Sequence, residues 1–337
     1  MGDFLGELGK KLAERWLTLL VLPGVLYLAV AATAHTLGHG HALDLQRLTG
    51  RITAWAASPS ATTLGGQIVL LTAILAGAAA LGLAAQALGA LTERLILAAD
   101  WRTWPPGPRH LAAWRVARRQ SRWRQAHDTY HRLLNEATTA LATTGQRPDP
   151  TPRHRAYHDR LRVALEYPDR PTWSGDRLQA LAVRLDRDLH LDVATIWPHL
   201  WLILPDQVRA EITAARTALT RATTLAGWTL LYALLTVWWW PAAPLALILA
   251  SIARHRVRTA TTAYAQLAEA ATRLHAPNLA HHLGLIATPD TALTPRTGDA
   301  LTSLLHTQPP PPDPAPADPA PPARRTAPPE SASAEPD

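Results

Sequence analysis

Cysteine is absent from this 337-residue chain, which excludes disulfides, thiolate metal sites and a cysteine nucleophile and leaves the redox compartment unmarked. Phenylalanine and methionine occur once each, and lysine only at positions 10 and 11, so thirty-one arginines carry nearly all the positive charge. No Gly-rich phosphate loop, no serine in an elbow motif and no paired carboxylates inside an apolar segment are present. Nothing in the chain therefore marks a cofactor, a catalytic residue or a proton-coupled carrier. The most telling absence is of charge. Residues 16–43, 52–92 and 222–253 contain no Asp, Glu, Lys or Arg.

About 20 apolar residues, at ~1.5 Å each, cross the ~30 Å hydrocarbon core of a bilayer, so each charge-free window is long enough for at least one span. The mean hydropathy of −0.04 conceals this by averaging the windows with an arginine-loaded remainder. A formal charge of +7 and a pI near 10.3 permit attraction to nucleic acid or to anionic lipid, and the apolar windows make membrane lipids with anionic headgroups the expected partner. The fold class expected is all-α: a polytopic membrane protein with about four transmembrane helices, a helical cytoplasmic domain and a disordered Pro/Ala-rich C-terminal tail.

Residues 1–15 read as an amphipathic cytoplasmic N-terminus and 16–37 as the first transmembrane helix, with Trp16 at headgroup level beside Lys10, Lys11 and Arg15. A cleaved secretory signal is the competing reading, because the basic leader, the apolar run and Ala32-Thr33-Ala34 imitate its three regions. Residues 38–65 follow as a loop on the outer side and 66–92 as the second span. There Ala78 and Gly82, then Ala85 and Gly89, stand four apart, a spacing that lets helices approach closely. The third window would be ~48 Å long as one helix, whereas two helices of half that length would be slightly short. Three tryptophans followed by Pro241 and Pro244 favour a transmembrane hairpin over 222–256 turning near 240–244, with a single span as the alternative. An even number of spans returns Arg254, Arg256 and Arg258 to the side of the N-terminus, as the positive-inside rule asks. The expected location is the plasma membrane, with both termini and the central domain cytoplasmic.

Residues 93–221 hold twenty-one of the arginines and read as the cytoplasmic helical domain. A long, coiled-coil-like helix is predicted over about 109–143, with Trp123, Tyr130, Leu134 and Leu141 on one stripe. Further helices are predicted at about 154–166 and 174–189, and around Trp197 and Trp201. A last one starts at Pro205 and Asp206 and continues unbroken into the third window. The C-terminal cytoplasmic segment 257–287 carries a helix over 259–275 that places Tyr264, Leu267, Ala271 and Leu274 on one face and ends before Pro277. Residues 288–337 read as the disordered tail.

Tyr167-Pro168, Pro171-Thr172 with Gly175, then Ile196-Trp197-Pro198 with Leu200 and Leu204-Pro205 resemble a family of actinobacterial integral membrane proteins without an assigned reaction. In that family a Pro-Thr-x-x-Gly stretch precedes Trp-Pro-x-Leu, a membrane hairpin and a short C-terminal helix. Tyr264, Leu274-His275 and Leu283-Gly284-Leu285 follow here in the same order, so the resemblance spans residues 167–285. Trp173 and Asp176 stand where the family favours Arg and Asn, and Leu189-His190 where it has an aromatic-glycine pair. The resemblance implies a membrane protein in which Tyr167, Pro168, Pro171, Thr172, Gly175, Trp197, Pro198, Leu200 and Pro205 serve structure rather than catalysis.

His127 and His131 are weak metal candidates, since two histidines four apart share a helix face as in zinc proteases. Asp128 replaces the usual Glu, and the sequence supplies no third ligand. The basic run over 109–132, interleaved with Trp114 and Trp123, suits lipid headgroups, acidic side chains of the same domain or, least favoured, nucleic acid. No cofactor is expected. The function expected is a non-enzymatic, membrane-anchored scaffold that engages a protein partner through its cytoplasmic domain and is able to form homo-oligomers; the alternative is an oligomeric small-solute channel or transporter.

Overall fold

The structure, a computed structural model, describes residues 21–58, 62–146 and 148–306. Ten α-helices and no strand occur among the described residues, in keeping with the all-α expectation. They are α1 (Leu22–Leu37), α2 (Leu45–Ala56), α3 (Leu64–Leu97), α4 (Pro106–Thr144), α5 (Thr151–Val163), α6 (Trp173–Leu189), α7 (Val193–Ile203), α8 (Asp206–Leu235), α9 (Ala242–His282) and α10 (Pro295–Leu305). The expected amphipathic N-terminus, the start of the first span and the tail from residue 307 lie outside the described residues.

Local chemistry sets these boundaries. Thr63 and Thr172 cap α3 and α6 by accepting from the N–H of Gly66 and Gly175. α4 opens with prolines, whose missing N–H costs nothing in a first turn, and stops at Gly145 with φ 66°. α8 runs without interruption from Asp206 through Arg209, Arg216 and Arg221 into the charge-free window, as the sequence predicts.

One half of the molecule is a bundle of α1, α3, α8 and the start of α9 whose outer surface is oily. The buried residues of α3 are Ala78, Gly82, Ala85 and Gly89, the small pairs read from the sequence. They mark two close crossings. A Cβ on Gly24 of α1 would lie 2.3 Å from the Ala78 carbonyl oxygen, and one on Gly227 of α8 would lie 2.2 Å from that of Ala85. Between the crossings Tyr27 meets Tyr232 edge to face at 5.2 Å and donates to the Leu231 carbonyl. Ile68, Val69 and Leu71 of α3, Leu234 of α8 and Leu247 and Ile248 of α9 remain exposed. Among the described helices α3 alone is long and apolar enough to cross a membrane by length and composition; α1 and α7 are apolar but shorter.

The other half is built on α6, α7, α9 and α10, which bury Leu185, Leu191, Ile196, Leu200, Leu279 and Leu301 in one core. α8 and α9 belong to both halves. α4 and α5 pair along one side, where Arg160 lies within 6 Å of the ring centres of Trp123, Tyr130 and Tyr157.

Several expectations need correction. Residues 45–56 of the expected outer loop form α2, capped by Asp44, with Leu45, Ile52 and Trp55 exposed. The hairpin turn occupies 236–241, earlier than 240–244, because Pro241 caps α9 and Pro244 falls harmlessly in its first turn. α9 does not end before Pro277 but continues to His282. The lost hydrogen bond and ring clash cost ~3 kcal/mol, offset by burial of Ala276, Leu279 and Ala280. Of the expected face, Ala271 is buried and Tyr264 and Leu267 pack against the core, but Leu274 is exposed, because the buried face turns toward Ala268 and Thr272. Residues 295–305, expected within a disordered tail, form α10: Thr294 caps it, Leu301 is fully buried, and Gly298 packs against the Leu189 carbonyl so closely that a Cβ would sit 1.8 Å away. On α4 the stripe residues Trp123, Tyr130 and Leu134 are half-buried while Leu141 is exposed, and the buried residues of that helix are Ala112 and Val116.

Candidate functional site

Of the motif residues read from the sequence, Thr172 and Gly175 meet the C-terminal end of α3, and Tyr167 and Pro168 lie in the segment that leads to it. A helix end leaves carbonyls without intrahelical partners, and here the segment before α6 supplies them. The Thr172 hydroxyl donates to the Ile96 carbonyl, and Arg170 Nη1 donates to that of Leu97 at 3.0 Å, placing a cation where the helix dipole favours one. Gly175 is pressed against the same end; a Cβ there would lie 2.6 Å from the Leu97 oxygen. Pro168 is fully buried, and its carbonyl accepts from Gln120 of α4 at 2.9 Å. Trp101 Nε1 donates to the Asp169 carbonyl at 3.0 Å. Tyr167 is about half-exposed and meets the Trp123 ring edge-on.

Asp176 organises this latch from within. Its Oδ1 accepts from the backbone N–H of Asp169 and Arg170 at 3.0 and 2.7 Å, and its Oδ2 pairs with Arg119 of α4 at 2.7 Å. Arg119 also donates to the Val163 carbonyl at the end of α5. Burial pushes the Asp176 carboxyl above its ordinary range, against the pull of these donors. In the sequence Asp176 stands out only against the pattern the segment resembles, and Arg119 and Arg170 are two of the twenty-one arginines of residues 93–221. An acid at the fourth residue after a Thr cap is the available signal.

Beside the latch lies a cleft of about 1020 Å³ between α3, α4, α6, α8 and α9. One side is apolar, with Leu95 and Ile96 of α3, Ala226 and Leu230 of α8 and Ala250 and Ala253 of α9. The other is cationic, with Arg115, Arg118, Arg119 and Arg122 from α4 and Arg254 and Arg258 from α9. Acids elsewhere pair with other arginines: Glu269 with Arg184 and Arg273, Glu166 with Arg187, Glu93 with Arg216. Among the described residues no carboxylate lies within ion-pair distance of Arg115, Arg118, Arg122, Arg254 or Arg258. Arg258 instead stacks over Trp173, its guanidinium carbon 4.5 Å from the ring centre. Burial, then the like charges of Arg254 and Arg119, lower its pKa from the ordinary value. Trp173 and Asp176 thus each receive an arginine.

His127 and His131 do lie side by side, ring centres 4.3 Å apart. What approaches them is not a third ligand: Trp123 stacks on His127 at 4.6 Å, and Arg160 Nη1 lies 3.5 Å from its Nδ1. Burial, His131 and Arg160 all lower the His127 pKa. No group of three or more His, Cys, Asp or Glu placed to hold a metal occurs among the described residues. Trp197 is half-buried against the α6–α10 core while its neighbours Ile196 and Leu200 fill it; Pro198 lies exposed within α7, and Pro205 is the exposed cap of α8.

No protein-family model matches the chain, and no curated protein and no solved structure is significantly similar to it.

Proposed function

We propose that the protein is a four-span plasma-membrane protein that holds its helical domain at the bilayer as a non-enzymatic interaction platform. The observation that carries this reading is that α8 and α9 pass without a break from a segment with apolar, outward-facing side chains into the arginine-bearing half. Two rigid rods therefore link the part that suits lipid to the part that suits water. The composition of α3 adds support: only 17% of its most apolar window is buried, the opposite of a core helix in a water-soluble protein.

In this reading α1, with the apolar residues before it, is the first span and α3 the second. The charge-free parts of α8 (222–235) and α9 (242–253) are only ~21 and ~18 Å long at ~1.5 Å per residue. The tryptophan-rich turn at 236–241 and the long side chains of Arg221 and Arg254, which reach toward headgroups, make up the difference to a ~30 Å core. α2, with Leu45, Ile52 and Trp55 on one side and Arg47 and Arg51 on another, suits the outer interface. A protein partner, self-association and membership of the actinobacterial family belong to the same proposal; the last rests on the motif residues alone.

Cysteine accessibility tests it, since the chain has no native cysteine. Leu45→Cys should react with an impermeant maleimide applied from outside intact cells, and Ala140→Cys and Ser303→Cys only after permeabilisation. Outside labelling of Ser303→Cys, or recovery of the full chain in the aqueous fraction after carbonate extraction, overturns the topology. Solute flux through reconstituted vesicles would favour the oligomeric channel over the platform.

A further inference from the structure

We infer that the arginine-lined cleft binds one anionic phospholipid of the cytoplasmic leaflet, headgroup among Arg118, Arg122 and Arg254 and acyl chains along Leu95, Ala226 and Leu230. The inference deepens the membrane reading and rests on it. The lining has two ends of opposite chemistry, and an anionic amphiphile has the same two ends. The apolar wall is formed where α3, α8 and α9 leave their charge-free segments, whereas the cations come from α4 and from α9 just beyond its window. Leu95, Leu111 and Leu230, which line the cleft, are each 46–57% exposed, so an acyl chain has apolar side chains to lie against.

The cationic end asks for an anion from outside the protein. Several guanidiniums share the cleft with no carboxylate between them, while Arg119, the one with an acidic partner, is held by Asp176. Charge-assisted bonds to a phosphate would relieve this like-charge crowding. The first turn of α6 also lines the cleft at Trp173 and Ser174, and its dipole favours negative charge there. A volume of about 1020 Å³ is at the upper end of small-molecule sites and far exceeds a phosphate ion. Free phosphate would leave the apolar wall uncovered. Nucleic acid would have to place its backbone against that same wall.

The full-length protein, purified in mild detergent, is mixed with vesicles of phosphatidylcholine doped with phosphatidylglycerol, re-extracted, and its retained lipid counted by native mass spectrometry. One phosphatidylglycerol per chain should be retained, in preference to phosphatidylcholine. The triple variant R118A/R122A/R254A should weaken retention about a hundred-fold. R47A/R51A, which removes the same kind of charge on α2, should leave retention unchanged. R118K/R122K/R254K keeps the charge and should keep most of the retention, which covers the case in which the alanine variant fails to fold. Equal retention of the two lipids, or retention by the folded alanine variant at the wild-type level, overturns the inference. So does binding of inorganic phosphate at the cleft without any lipid preference. A chain that extracts into the aqueous fraction fails the membrane reading itself, whereas one that stays membrane-bound but retains no anionic lipid fails the cleft assignment alone.

Discussion

Replacing Asp176 by Ala should be among the most damaging single changes in the arginine-rich half. Asp176 and Arg119 are 6% and 20% exposed, so water offers little compensation when the pair is broken. The change removes the acceptor of two backbone N–H groups, at ~1–3 kcal/mol for each left unsatisfied, and strands a half-buried guanidinium. These losses share one carboxylate and do not simply add; breaking a buried ion pair costs ~3–5 kcal/mol as a whole. At ~2–4 °C per kcal/mol for a domain of this size, the melting midpoint in detergent should fall by about 10 °C or more. Asp176→Asn should cost less, because an amide oxygen still accepts from Asp169 and Arg170. Asp169→Asn is the control: its pair with Arg102 is 46% and 69% exposed and is worth ~0–1 kcal/mol. Hydrogen exchange should report the loss locally, with faster exchange at residues 97–104 in Asp176→Ala. A midpoint within ~2 °C of wild type for Asp176→Ala, or equal falls for Asp176→Ala and Asp169→Asn, refutes the claim that this acid organises the latch.

Gly227→Ala gains up to ~1 kcal/mol of helix propensity but drives a Cβ to 2.2 Å from the Ala85 oxygen, so thermal melts should show net destabilisation of ~1–3 kcal/mol. Gly65→Ala, with open space around its Cβ, should show none. Asp299 raises the pKa of His190 through a 3.0 Å hydrogen bond. The charged form therefore holds α10 more firmly below pH ~6.5, the unfolded value, and that contribution fades as pH rises through the higher folded value. Hydrogen exchange of α10 should accelerate over that rise in wild type and not in Asp299→Asn. Trp239→Phe removes the 3.0 Å bond to the Ala42 carbonyl and about 1 kcal/mol with it, and should speed maleimide labelling of a cysteine placed at Leu43.

Much of the helical layout is legible because it depends on neighbours in the chain. The charge-free windows, the unbroken run from Asp206 and the Pro-Thr cap before α6 are local signals, and the corresponding helix starts fall within a few residues of expectation. The small pairs on α3 are legible for the same reason, since a spacing of four puts Ala78, Gly82, Ala85 and Gly89 on one face whatever crosses there. α2 was missed although Asp44 followed by apolar residues at 45, 48, 52 and 55 carries a helix signal; the expectation of a loop outweighed it. Pro277 and α10 were misread for a different reason. There long-range burial of Leu279 and Leu301 overrides a local breaker and a polar composition, and no window of sequence contains both partners. The cleft is the extreme case: Arg118 and Arg254 are 136 positions apart, and only the fold brings them to one cavity.

Latch and cleft share a wall. Thr172 bonds the end of α3 through its hydroxyl while lining the cleft, and Arg119 faces the cleft while holding Asp176. Two of the carbonyls that α3 leaves open at its end, those of Ile96 and Leu97, are thus capped by Thr172 and Arg170, which ties the arginine-rich half to the oily bundle at that point. The Glu93–Arg216 pair and the Thr223 hydroxyl bond to Glu93 tie α3 to α8 one turn further back. A side chain that widened the approach of Gly175 to Leu97, or of Gly89 to Thr224, would have to move one half against the other. In a bilayer such a movement would also shift the guanidiniums of α4 relative to the headgroup layer. The close approaches of Gly175 and Gly89 and the placement of the cleft's cations are therefore linked through α3, which contacts both α6 and α8.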